Sequence, residues 1–182
     1  GPAHLIKPMT AIQNWTQFCL SRPTMFSFAE SLKLALDQPY EGKANYYEWL
    51  TDLYARKKDE LLTILKNAPL DYRVLNPDGG YFVIVDITKS IPKIPRKYFF
   101  REASDSEPVG DLANLENPDF SADYAFTRWL TVEFGVTPVP MCAFYNQAYA
   151  KNKKEFKGSH LVRFAVCKSD ETLRGVAERL KK

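Results

Sequence analysis

Apolar positions recur at helical spacing along the first third of the chain. From Leu5 to about Leu20, Leu5, Met9, Ile12 and Trp15 fall three or four residues apart, the period of one helix face. Pro23 sits where a helix starts without loss, because the first turn has no use for its missing N–H. Phe26, Ala29, Leu32 and Leu36 then mark a second helical stripe. Pro39 and Gly42 break the pattern, which resumes from Asn45 to Asn67 with Tyr46, Leu50, Tyr54, Leu61 and Leu65 on one side and charges opposite. At 1.5 Å per residue this third helix is roughly 35 Å long, enough to bridge two domains.

After Pro69 the period shortens. Residues 71–75 (DYRVL) and 81–87 (YFVIVDI) are rich in aromatic and β-branched side chains and read as strands joined through Asn76-Pro77-Asp78-Gly79-Gly80. Residues 88–120, with Pro92, Pro95, Pro108 and Pro118, carry no sustained period and read as a long loop, a lid or mobile cover. Ser121 is placed to cap a helix running to Phe134, with the stripe Phe126, Trp129, Leu130, Phe134 and a closing Gly135. A short strand at 136–139 follows. In 161–167 (LVRFAVC), Val162, Phe164 and Val166 suit a core, and Leu161, Arg163, Ala165 and Cys167 face the other way. Ser169 caps a last helix with Asp170 and Glu171 in its first turn and Lys181-Lys182 at its end, docked by Leu173, Val176, Ala177 and Leu180. The pattern is that of an α+β protein.

With 182 residues, 45% hydrophobic and 26% charged, the chain has a globular composition. A net charge of +3, without a basic stripe interleaved with aromatics, argues against nucleic acid. The run Lys151–Lys157 (KNKKEFK) reads as a solvated loop. Cys19, Cys142 and Cys167 lack paired spacing, which argues against a disulfide scaffold or zinc site and for a reducing compartment, cytoplasmic or mitochondrial. His4 and His160 are too separated for a metal cage, and no apolar run approaches a membrane span.

Arg163 is the sharpest candidate for chemistry. A guanidinium inside a short strand pairs with a carboxylate, lies on a solvated sheet face, or clamps a ligand; spacing alone leaves all three open. The Pro-stiffened segment 137–145 offers Phe144-Tyr145 as a ligand wall or as core packing. Asp78-Gly79-Gly80-Tyr81 has no helix after it and is a tight turn, not a phosphate loop. Ser90-Ile91-Pro92-Lys93 has a Ser-x-x-Lys spacing, but Pro92 forbids the helix that would align the pair.

Ordered motifs carry a resemblance. Gly1-Pro2-Ala3-His4-Leu5-Ile6-Lys7, Phe18 with Ala29-Glu30, Asn76-Pro77-Asp78-Gly79-Gly80-Tyr81-Phe82, Gly135-Val136 leading to Pro140, Phe144-Tyr145, and Val162-Arg163-Phe164 follow the order found in class I/II pyridoxal-phosphate-dependent aminotransferases of fold type I. The chain resembles the C-terminal portion of that family over nearly all its residues, and most of all the kynurenine aminotransferases (glutamine transaminases, cysteine-conjugate β-lyases). The resemblance implies a division into 1–44, helices of the large cofactor domain; 45–68, a long interdomain helix; and 69–182, an α+β small domain. It implies that Arg163 grips the substrate α-carboxylate, that Phe144 lines the side-chain pocket, and that Phe18 reaches a neighbouring subunit's site in a homodimer. Cys19 stands where kynurenine enzymes can carry a histidine, which puts the amino donor in question. In the family the Schiff-base lysine and most cofactor-binding groups precede the position of Gly1. The expectation is therefore a chain with no catalytic or cofactor-binding residue of its own, inactive alone, part of an enzyme that uses pyridoxal 5'-phosphate, amino-acid and 2-oxo-acid substrates. The alternative is a non-catalytic accessory chain within a larger assembly.

Overall fold

The computed structural model describes residues 1–102, 105–116, 118–144 and 159–181. The Lys151–Lys157 run, Tyr145 and Lys182 lie outside the described residues. The chain divides into two compact units, Gly1–Asp52 and Leu53–Lys182, with the boundary inside the long third helix.

The first unit holds α1 (Ala3–Thr16), α2 (Arg22–Asp37) and the opening turns of α3 (Tyr46–Asn67). Helix α1 ends at Thr16, short of the expected Leu20, and takes Pro8 within its span. Neither α1 nor α2 buries a residue, so their apolar stripes face outward. Ahead of α3, Tyr40 and Lys43 exchange backbone hydrogen bonds of 3.1 and 2.9 Å around Glu41 and Gly42, whose φ of 46° and 77° make a tight left-handed turn that suits glycine. Asn45 caps α3 by accepting the Glu48 N–H at 2.9 Å. Tyr40 packs edge-on against Tyr46 and Trp49, with centroids 5.2 and 5.0 Å away.

In the second unit a four-stranded antiparallel sheet is ordered β1-β2-β4-β3: β1 (Arg73–Leu75), β2 (Phe82–Asp86), β4 (Leu161–Ala165) and β3 (Val139–Pro140). Alternation sends Val83, Val85, Val162 and Phe164 to one face, all buried. Leu61, Leu62 and Leu65 of α3, Phe126 of α4 (Ala122–Trp129), and Leu173 of α5 (Asp170–Arg179) join them in one core cluster. Ser169 caps α5 as expected, accepting the Thr172 N–H at 3.1 Å. The unit is a mixed arrangement of helices and antiparallel sheet, matching the α+β expectation.

Three expectations are corrected. The long loop expected at 88–120 is, over its described residues, packed down instead of a loose cover: short 3-10 turns at Ile91–Lys93, Arg96–Phe99 and Leu112–Asn114 interrupt it, and Ile94 and Phe99 are fully buried. Backbone pairing replaces periodicity there, with Arg96 N–H donating to Glu107 O at 2.8 Å and Val109 N–H to Ile94 O at 2.9 Å. Arg128 of α4 ties the segment down by donating to the carbonyls of Tyr98 and Phe100 at 2.8 and 2.9 Å. Ser121 makes no side-chain cap to α4; its hydroxyl donates to Asp123 Oδ1 at 2.6 Å. The helix expected to reach Phe134 widens after Trp129 into a π-helical segment, Leu130–Phe134, closed by Gly135 at φ 67°. Val136 then donates back to Leu130 O at 3.3 Å instead of extending, which delays the expected strand to Val139–Pro140.

Candidate functional site: an arginine between two aromatic rings

Arg163 is the central residue of β4, opposite Ile84 of β2 on one side and Val139 of β3 on the other. Residues opposite one another in a ladder share a face, so Phe82, Ile84, Arg163 and Ala165 lie together on the side away from the core. Ala165 faces Phe82, and its methyl leaves that ring room to lean diagonally toward Arg163. The guanidinium carbon sits 4.1 Å from the centroid of Phe82 and 4.1 Å from that of Phe144. Phe144 is delivered by the 3-10 turn Met141–Phe144, directly after β3. Each cation–ring contact contributes about 0.5–2 kcal/mol, more as water is excluded.

Among the described residues no ion pair includes Arg163. Its Nε is buried and, among the described residues, has no hydrogen-bond partner. A buried donor left unpaired costs about 1–3 kcal/mol. With two ring centroids each 4.1 Å from its central carbon, the guanidinium offers a ligand its N–H edge, a group that can take a planar carboxylate side-on through two parallel bonds. The same edge offers no amine for a Schiff base, so the donor set fits an acid's carboxylate and not a covalent aldehyde cofactor.

The structure brings Arg163 and Phe144 together. Phe18 belongs to the first unit, in the exposed link after α1, and lines an open groove of about 770 Å³ with Ile6, Met9 and Gln13. Phe82 was not among the expected site residues. Its signal was the register: once 81–87 pairs with 161–167, the small Ala165 and the cation Arg163 fall to its side. Beside Phe144, burial pushes the Cys142 thiol above its ordinary range. Among the described residues no cluster of three His, Cys, Asp or Glu could hold a metal, and no helix is long and apolar enough to cross a membrane.

No family model matches the chain. It is 31% identical to the kynurenine–oxoglutarate transaminase of Dictyostelium discoideum over its whole length, which is 36% of that protein. It is 29% identical to the mouse kynurenine–oxoglutarate transaminase 3, covering 98% of this chain and 33% of that one. The chain thus spans about a third of the length of the curated relatives it matches. Among solved structures, the aspartate aminotransferase of Rhizobium meliloti superposes with a TM-score of 0.60 at 18% identity, over 100% of this chain and 35% of that one. YbdL of Escherichia coli, identified as having a methionine aminotransferase function, superposes at 0.57 and 22% identity, over 99% and 35%. At those identities the structures show the fold alone. In sequence this chain is similar to the C-terminal ~35% of the kynurenine–oxoglutarate transaminases, and its mixed helices and antiparallel sheet match the C-terminal small domain of solved aminotransferase structures.

Proposed function

We propose that this chain is the substrate-carboxylate-binding part of an aminotransferase that moves an amino group from kynurenine, glutamine or a related amino acid to a 2-oxo acid. The observation that carries the reading is the buried Nε of Arg163, without a partner among the described residues and with two rings against the guanidinium. Both the amino-acid donor and the 2-oxo-acid acceptor present a carboxylate, so one arginine serves both half-reactions. Arg163 fixes that carboxylate and with it the tilt of the substrate's Cα–H bond. Phe144, half exposed beside the guanidinium, forms a wall for the substrate side chain. Pyridoxal phosphate, when bound, would supply the electron sink that labilises the Cα–H bond. The residues here fit the substrate's acid group and contribute no covalent anchor, so the 182-residue chain is inactive alone.

The same reading assigns residues 1–44 to a large domain, 45–68 to an interdomain helix and 69–182 to the small domain. Phe18 then belongs at a neighbouring subunit's site, in a homodimer or against partner chains that cover α1 and α2. Three free cysteines suit a reducing compartment, cytoplasmic or mitochondrial.

The test is a titration of the ¹⁵N-labelled chain. Kynurenine and 2-oxoglutarate should shift the Arg163 Nε–H resonance and the β2 and β4 amides, with dissociation constants on the order of millimolar for so small a contact. Kynuramine, which lacks the carboxylate, should leave them in place, and Arg163→Ala should abolish the response. Equal responses to kynurenine and kynuramine would refute the carboxylate grip.

A further inference from the structure

Asp123 is fully buried, yet it sits neither in the aromatic sandwich nor in any ion pair among the described residues. Its carboxylate is shared between two elements. Oδ1 accepts the Ser121 hydroxyl at 2.6 Å and the Tyr124 N–H at 2.9 Å, both from the start of α4. Oδ2 accepts the backbone N–H of Cys142 at 2.6 Å. Cys142 lies within the 3-10 turn Met141–Phe144, two residues before the ring that covers Arg163. A buried carboxylate with three donors is a costly group to place in a core unless the bonds it makes are needed.

We infer that Asp123 is a positioning residue for the carboxylate grip: it ties the Phe144-bearing turn to the N-terminus of α4 and so holds that ring against the Arg163 guanidinium. This rests on the reading of Arg163 given above. The first turns of α4 are locked into the core by Ala122 and Phe126, so the tether references Phe144 to a rigid element instead of to its own exposed turn. Without the bond at Cys142, a half-exposed turn carries Phe144 alone, and the guanidinium loses one of the two walls that fix its plane and exclude water.

The experiment uses the 182-residue chain and 2-oxoglutarate as probe, by titration calorimetry or the Arg163 Nε–H shift. Asp123→Asn leaves one oxygen for Ser121 and Tyr124 and turns an NH₂ against the Cys142 N–H, which breaks the tether selectively. Affinity should fall about five- to tenfold, the range of one partly desolvated cation–ring contact. Phe144→Ala should cost a similar factor, and Asp123→Asn added to Phe144→Ala should cost less than twofold more, because both changes remove one interaction. A purely structural role would give a full additive loss in the double variant, and that result, or wild-type affinity in Asp123→Asn, overturns the inference. Should Asp123→Asn fail to fold, Cys142→Pro deletes the donor instead; a 3-10 turn of this chain already accepts proline in its second position, at Ile91–Lys93. The same loss, again absorbed by Phe144→Ala, supports the tether, and wild-type affinity in Cys142→Pro refutes it. Wild-type chain that does not bind 2-oxoglutarate at all sinks the Arg163 reading itself, a result distinct from any variant's behaviour.

Discussion

A buried guanidinium nitrogen without a partner is a cost to the folded state, and its removal is informative. Arg163→Met keeps most of the volume, relieves the unpaired Nε, and loses two cation–ring contacts. The two effects are each of order 1–3 kcal/mol and oppose one another. Thermal unfolding of Arg163→Met should therefore shift little, within about 1 kcal/mol, while 2-oxoglutarate binding is lost. A loss of stability well beyond about 2 kcal/mol, measured by denaturant unfolding, would mean the arginine serves a structural ion pair instead. Arg163 was legible in the sequence because a charge inside an alternating strand stands out against its neighbours. Phe82 and Asp123 were not. The first needs the β2–β4 register, and the second needs a turn and a helix 19 residues apart to meet. Neither leaves a trace in local spacing.

At the scale of elements, helices α1, α2, α3 and α5 and strands β1, β2 and β4 were all visible as periods, with ends off by a few residues. The segment 88–120 was not, because irregular backbone buries side chains in no fixed rhythm, and its prolines mimic those of an exposed loop. The end of β2 shows how such a segment is joined on. Asp86 Oδ1 accepts the Thr88 N–H at 3.0 Å and the Thr88 hydroxyl at 2.6 Å, and Arg73 lies 3.1 Å from its other oxygen. The bond from the Thr88 hydroxyl, ahead of Arg73, holds the Asp86 carboxyl below its ordinary 3.8. A depressed carboxylate stabilises the fold fully above its unfolded pKa and loses that contribution as pH falls through the folded value. Thr88→Val should therefore be less stable than wild type by roughly 1 kcal/mol at pH 6. The gap should close below about pH 3.8 as Asp86 takes up its proton. A gap unchanged between pH 6 and pH 2.5, in urea unfolding, would exclude the carboxylate as its source.

For the whole molecule, the contrast between the two units is one of burial. The core cluster draws all its residues from Leu61 onward, whereas Trp15 and Phe18 are each 83% exposed and Phe26 is 71% exposed. At about 25 cal/mol per Å², covering a few hundred Å² of such surface yields several kcal/mol. Sedimentation of the chain should show association that grows with concentration, together with binding of an apolar dye; a dye-silent monomer at every concentration would contradict the proposed covering of α1 and α2. The sheet order has a different consequence. Its central pair joins Asp86 to Leu161 across about 75 residues of chain, and closing so long a loop carries an entropic cost that no neighbouring turn defrays. The rings and the cation of the grip come from both sides of that closure, at Phe82, Phe144 and Arg163. On the proposed reading of Arg163, neither the β1–β2 hairpin alone nor β4 with its terminal helix would hold a carboxylate. Affinity for an acid would then be a property of the completed topology, and a ligand in the grip would draw the whole second unit toward its native connection by mass action.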